Sequence, residues 1–161
     1  MDDQQFMALA IEQAKLAQAK GEVPVGAVLV DKRGKVLGVG ANAVIGLSDP
    51  TAHAEIVALR DAALAVQNYR LPETILYVTL EPCAMCLGAL FHARVGRIVF
   101  GAFDPKTGAC GSRLDLTDST VINFHATVEG GVLGQACGEL LTEFFRQKRL
   151  QKTVAHKMSS E

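Results

Sequence analysis

Apolar residues recur at helical spacing at the start of the chain. Phe6, Leu9, Ala10, Ala14 and Ala17 share one face, and Lys20-Gly21 supplies the glycine that closes such a helix. The period then changes. Val25-Gly26-Ala27-Val28-Leu29-Val30 is an unbroken apolar, partly β-branched run, which predicts a buried central strand. Asp31 to Lys35 reads as the turn into a hairpin partner, Val36 to Gly40. An Ala/Leu-rich run predicts a second helix from Ala52 to about Val66, with Asp49 or Thr51 as its cap. Ile75 to Thr79 reads as a short buried strand, Pro82 as the opening of a third helix, and Arg97 to Gly101 as a further strand. Phe103 to Thr120 is rich in Gly, Asp and Ser, with room for one short helix, and Thr120 to Val128 is expected to add a last strand. From Leu133 the stripe Ala136, Cys137, Leu140, Leu141, Phe144 and Phe145 predicts a terminal helix with one of the two phenylalanines in the core, frayed over Met158 to Glu161. Strands alternating with helices imply a sheet covered on both faces, an α/β/α layering.

Length and composition fit one domain over residues 1–161: 49% of the residues are hydrophobic and 20% charged. The polar start Met1-Asp2-Asp3-Gln4-Gln5 does not resemble a secretory leader, and no apolar run approaches membrane-spanning length, so a cytoplasmic protein without a membrane partner is expected. Four cysteines do not make a disulfide framework; Cys110 and Cys137 are expected to be free thiols.

The chemistry concentrates in two short segments, His53-Ala54-Glu55 and Pro82-Cys83-Ala84-Met85-Cys86. Together they offer one imidazole, two thiolates and a carboxylate that need not bind metal. Three protein ligands on zinc leave the fourth tetrahedral position for water, the mark of a catalytic site. Water on zinc ionises near pH ~7, and Glu55, two residues after His53, is placed to carry its protons. His-x-Glu followed by Pro-Cys-x-x-Cys is the signature of zinc-dependent nucleobase deaminases. Cys83 and Cys86 are three apart and share a helix face, and a helix start lowers a thiol pKa, which favours metal-binding thiolate. Two blander readings compete. A redox Cys-x-x-Cys needs no upstream His-x-Glu, and a closed structural site needs a fourth ligand, yet Cys110, Cys137, His92 and His125 form no second pair. A His/Cys/Cys set favours zinc, with iron and cobalt left open.

The net charge of −1 conceals a division. Residues 144–160 hold Arg146, Lys148, Arg149, Lys152 and Lys157 with no acid, while the remaining 11 basic and 17 acidic residues give −6. The basic end, residues 143–161, is either a solvated helix end or a patch for phosphates whose binding would weaken with salt.

Four segments then carry a more specific resemblance: Gly21-Glu22-Val23-Pro24-Val25-Gly26-Ala27-Val28, Asp49 to Glu55, Glu81 to Cys86, and Asp104-Pro105-Lys106-Thr107-Gly108-Ala109, continued by Phe144-Phe145-Arg146. These resemble the bacterial tRNA-specific adenosine deaminases of the cytidine deaminase-like superfamily over about Phe6 to Arg149. The resemblance implies a three-layer α/β/α fold with a central mixed five-stranded sheet. It also implies a homodimer that converts adenosine to inosine at the wobble position of a tRNA anticodon stem-loop. By motif position it places one Zn2+ per subunit on His53, Cys83 and Cys86 and makes Glu55 the proton shuttle. Asn42, Val25 and the Ala54 backbone would contact the base, Asp104 and Lys106 would border the RNA, and Phe145 with Arg146 would lie near the anticodon loop. Ordinary turn roles remain open for Asn42 and for Asp104-Pro105; if Asp104 meets RNA, a ribose hydroxyl suits it better than phosphate. Glu81 reads either as a group orienting the metal site or as a solvated loop acid. Alanine at position 41 and Leu47-Ser48 depart from the family's usual aromatic and basic residues, in a loop that would face RNA.

Two other functions compete. A deaminase of a free base or nucleoside, guanine or cytosine, would share the metal chemistry but would not need the basic end or the Lys106-Thr107-Gly108 loop. A non-catalytic zinc-stabilised RNA-binding subunit would typically lack the shuttle carboxylate that Glu55 provides.

Overall fold

The apolar run at the centre of the chain becomes the hub of a sheet. In the computed structural model, which describes residues 1–118 and 122–159, β1 (Gly26–Val30) is buried at every residue. It pairs antiparallel with β2 (Val36–Ala41) on one edge and with β3 (Ile75–Leu80) on the other. β4 (Arg97–Ala102) and β5 (Thr127–Gly130) continue the sheet parallel to β3, giving the order β2-β1-β3-β4-β5. The expected mixed five-stranded sheet is therefore present. The carboxyl ends of the parallel strands β3 and β4 lie at one edge, where open α/β sheets bind ligands.

Helices cover both faces, and strand alternation decides which side chain meets which layer. Ala27, Leu29, Leu76, Val78, Ile98 and Phe100 pack with Ala54, Ala58 and Ala62 of α2 (Ala54–Val66) and with Leu87, Leu90 and Phe91 of α3 (Ala84–His92). Val28, Val30, Tyr77 and Val99 face the opposite side, where Phe6, Met7 and Ala10 of α1 (Asp3–Ala19) and Cys137 of α4 (Gly134–Ser159) cover them. Of the two phenylalanines on α4, Phe144 is buried at 8% exposure, whereas Phe145 is 46% exposed.

Two glycines let these layers approach. A Cβ on Gly26 would sit 2.0 Å from the Ala10 carbonyl oxygen of α1. One on Gly40 would sit 2.1 Å from the Ala54 carbonyl oxygen of α2. The first turn of α2 thus rests directly on strand β2, which fixes where its N-terminus points.

Several boundaries differ from those expected. α2 starts at Ala54, with His53 as its cap position and no side-chain capping bond. Asp49 is spent earlier, accepting from the Thr51 N–H at 2.9 Å and hydroxyl at 2.7 Å. α3 starts at Ala84 with Cys83 at its cap position, so Pro82 precedes the helix rather than opening it. Residues 103–118 form turns and one isolated bridge, Cys110 to Asp115, in place of a short helix. The last strand is shorter and later than expected, and Thr120, its expected start, lies outside the described residues. Its side chains are mostly exposed, so it lacks the apolar alternation that marks a strand. α4 is helical through Ser159, Met158 included, and Ser160 and Glu161 lie outside the described residues. Among the described residues no helix is long and apolar enough to cross a membrane.

Candidate metal centre and active site

Both metal-ligand segments sit where the chain stops being extended and starts to coil. His53 (φ −69°, ψ 156°) and Cys83 (φ −78°, ψ 174°) are extended residues, each immediately ahead of a helix, α2 and α3 respectively. Cys86 follows in the first turn of α3 and Glu55 in the first turn of α2. Neither helix start has a side-chain cap, so its free N–H groups and positive end face this region and favour thiolate and carboxylate there.

The donor atoms converge. His53 Nδ1 lies 3.7 Å from Cys83 Sγ and 3.5 Å from Cys86 Sγ, and all three donor atoms lie within 4.8 Å of one another. Tetrahedral ligands held ~2.0–2.3 Å from zinc sit roughly 3.5 Å apart, and both imidazole–sulfur separations match that spacing. Cys83 is half-buried and Cys86 fully buried. A hydrogen bond from Cys86 pulls the Cys83 thiol down to about 5, and the same pairing, with burial, holds the Cys86 proton on. Cys83 is thus the more readily ionised of the two sulfurs, and zinc at this site would be held by both as thiolates.

A cavity of about 200 Å³ opens on this cluster, lined by His53, Glu55, Cys83, Asn42, Val25 and Asp104 among others. Glu55 is only 4% exposed, and burial raises its carboxyl to about 7. Asn42 is held by two backbone contacts, its N–H donating to the Val25 carbonyl at 3.0 Å and its Nδ2 donating to the Val23 carbonyl at 3.3 Å. Its Oδ1 is buried without a hydrogen-bond partner, an acceptor left for something in the cavity. Ala54 lines the same cavity.

The RNA-bordering candidates fall into two places. Lys106 and Phe145 line a neighbouring groove of about 590 Å³ with Leu141 and Arg149, and this groove shares Val23, Leu80, Asp104 and Thr107 with the smaller cavity. Lys106, Lys148, Arg149 and Lys152 gather around Phe145 farther along α4. Arg146 lies in neither space and is forked onto Glu143 at 3.0 and 2.7 Å. The Asp104 carboxylate takes the turn role, accepting from the Lys106 N–H at 3.0 Å and from the Thr107 N–H and hydroxyl at 3.2 and 2.8 Å.

Two acids have roles the sequence did not disclose. Glu81 is 2% exposed, and instead of meeting solvent or a metal ligand it binds the loop 104–112. Its carboxylate accepts from the backbone N–H groups of Asp104 (3.0 Å), Cys110 (2.9 Å) and Ser112 (3.2 Å), and from the Ser112 hydroxyl. Glu22, also 2% exposed, accepts from the Ile45 and Gly46 N–H groups at 3.1 and 2.8 Å on the Asn42 side of the cavity. An acid one or two residues ahead of a proline, Pro82 for Glu81 and Pro24 for Glu22, was the hint in the sequence.

A three-layer α/β/α fold with a His/Cys/Cys cluster and a buried glutamate at paired helix starts defines a zinc-dependent deaminase. Residues 1–102 match the family described as the cytidine and deoxycytidylate deaminase zinc-binding region. A tRNA-specific adenosine deaminase from Haemophilus influenzae is 51% identical over 152 residues, covering 94% of this chain and 88% of that one. A solved structure from a study of A-to-I editing by tRNA:A34 deaminases at the wobble position of transfer RNA is 42% identical with TM-score 0.82, covering 85% of this chain and 99% of that one. A guanine deaminase structure from Bacillus subtilis is 38% identical with TM-score 0.61, covering 64% and 66%. The chain belongs to the tRNA-specific adenosine deaminase family.

Proposed function

We propose that this protein converts adenosine to inosine by hydrolytic deamination at the wobble position of a tRNA anticodon loop. The observation that carries the reading is the buried Glu55 beside the His53/Cys83/Cys86 cluster, at a base-sized cavity continuous with a cation-lined groove. Zinc held by those three residues supplies a Lewis acid and a water ionised near neutral pH.

The remaining chemistry belongs to the chain. Asn42 Oδ1, otherwise unpartnered, accepts from an N–H of the flipped base and fixes its edge, while Val25 and the Ala54 backbone wall the ring. Glu55 takes the proton released by the attacking water and passes it to ring nitrogen 1 as oxygen bonds to carbon 6. It then moves the proton of the new hydroxyl on carbon 6 to the exocyclic amine, the carbon–nitrogen bond breaks, ammonia leaves and the carbon–oxygen bond becomes the carbonyl of inosine. Burial suits Glu55 to this shuttling, because a carboxyl near pH 7 both accepts and donates at neutrality. Asp104, Lys106 and Phe145 border the flanking RNA, and Arg146, forked onto Glu143, lies outside the groove they line. The same reading extends to a homodimer acting in the cytoplasm on the anticodon stem-loop.

The test is inosine formation in an anticodon stem-loop with wobble adenosine, using zinc-loaded protein and Glu55→Ala. Proton transfer by a placed group contributes ~10²–10⁴-fold, so the variant should keep zinc and lose turnover by about that factor. Normal turnover in the variant would sink the shuttle role. Deamination of free guanine without any inosine would favour the second reading, to which the Bacillus subtilis neighbour lends weight.

A further inference from the structure

We propose that Glu81 is a positioning residue that locks the substrate-bordering loop 104–112 to the start of the zinc-binding helix α3. The proposal rests on the adenosine deaminase reading above and assigns the reaction a determinant besides the metal ligands and the shuttle. Glu81 immediately follows strand β3 and is two residues ahead of Cys83, so its backbone belongs to the metal side of the cavity. Its own N–H donates to the Ala102 carbonyl at 2.9 Å, tying it to the end of β4. Its carboxylate reaches across and gathers three backbone N–H groups and one hydroxyl from a loop 23 to 31 residues later.

Among the described residues that loop contains no helix and no strand, so it has no regular backbone ladder of its own. The buried carboxylate stands in for one, and a carboxylate's four acceptor sites match the four donors. The loop also returns a bond, Ala109 N–H to the Pro82 carbonyl at 2.9 Å, so the link runs both ways. Asp104 and Thr107, on this loop, line the cavity with Glu81 itself, and Lys106 lines the groove beyond. Close approach at Gly108 completes the fit: a Cβ there would sit 2.4 Å from Glu81 Cδ and 2.5 Å from the Asp104 carbonyl oxygen. Four of the bonds that tie the loop to the end of β3 thus end on one side chain, with the Ala109–Pro82 bond beside them, whereas the metal ligands are held by separate helix starts.

Glu81→Gln replaces one acceptor oxygen with an NH2 facing N–H donors, and Gly108→Ala presses a Cβ onto the same contact from the loop side while the acid itself stays in the chain. Both are measured as full-length zinc-loaded protein on the wobble-adenosine stem-loop, with zinc content, Tm, KM and kcat determined separately. Expected for each is one zinc per chain, KM raised about 10- to 100-fold and kcat within roughly threefold, as for a misplaced binding element. The double variant is expected to be little worse than either single, because both act on one contact. A residue needed only for folding would instead lower the active fraction and leave KM unchanged, and that result overturns the proposal. Trypsin cleavage after Lys106 gives an arm that needs no substrate. Faster cleavage in E81Q supports the lock and an unchanged rate overturns it, even if the native protein makes no inosine and the functional reading itself fails.

Discussion

Gly40→Ala is the sharpest test of how the fold places Glu55. A Cβ at this position would lie 2.1 Å from the Ala54 carbonyl oxygen, 2.5 Å from the Ala58 nitrogen and 3.1 Å from the Ala58 Cβ. The first two are backbone atoms of α2 and have no rotamer by which to yield. Favourable nonbonded contacts between heavy atoms lie near 3.5 Å, and a tolerable one is not below about 3 Å, so the start of α2 must retreat by about 1 Å. Ala54 is the residue between His53 and Glu55, so the retreat moves ligand and shuttle together. Overpacking of this kind costs about 1–3 kcal/mol, which in a chain of this size lowers Tm by roughly 2–12 °C. A misplacement of ~1 Å in a catalytic constellation costs on the order of 10²-fold in rate.

The assay is single-turnover inosine formation at saturating stem-loop, with zinc content and Tm on the same preparation. The expected result is folded protein, a rate about 10²-fold lower and a lower Tm. Gly88, inside α3 with nothing within 4 Å of a Cβ, is the contrasting site, and Gly88→Ala should raise stability by up to about 1 kcal/mol through helix propensity. If G40A turned over within about threefold of the native protein at unchanged Tm, the claim that β2 sets the position of Glu55 would be refuted.

Three further outcomes are expected. Chelating the zinc should expose one fast-reacting thiol at neutral pH, Cys83, held near 5 chiefly by its Cys86 hydrogen bond, while burial keeps Cys110 at about 12 and Cys137 at about 11 unreactive; mass-mapped alkylation that found either of these first would contradict this. Asp3 is depressed below its ordinary 3.8, chiefly by its hydrogen bond from Arg97, so its stabilisation is present above pH ~4 and is lost as pH falls through the folded value. Unfolding free energies of the native protein from urea titration should therefore fall more steeply than those of Asp3→Asn as pH falls from 5 toward 3, by up to about 1 kcal/mol for a pair this exposed, and parallel curves would remove Asp3 from the account. Finally, removing Lys148, Arg149 and Lys152 together should flatten the dependence of log Kd for the stem-loop on log salt by roughly 2, at ~0.7 per phosphate contact, and an unchanged slope would take RNA off that face of α4.

What the sequence disclosed was whatever local pattern can carry. The zinc cluster was legible because His53, Glu55, Cys83 and Cys86 lie in two short segments whose residue types have few other uses together. The central strands were legible because full burial of β1 leaves an unbroken apolar run. β5 was misplaced because a short, largely exposed edge strand has neither that run nor an alternation. The start of α2 was misplaced because Asp49 and Thr51 have the right chemistry for a cap and spend it on each other, leaving the cap position to the metal ligand His53.

The errors cluster where the function is, and there is a physical reason. Asn42 immediately follows β2, Glu81 and Cys83 follow β3, Asp104 follows β4, and His53 and Cys83 precede their helices by a single residue. Functional groups gather at such seams because only there does the backbone leave N–H groups unspent for anions, and only there can a side chain at the end of a strand reach a loop from elsewhere. Within a strand or helix, the ladder consumes the backbone and packing consumes the side chain. Periodicity, which identifies an element by its interior, is weakest at its ends. Glu81 is the extreme case, since its donors are 23 to 31 residues away and no local pattern announces them. The residues most informative about the chemistry of a single base are therefore found by motif, and those that hold the surrounding loops in place only by coordinates.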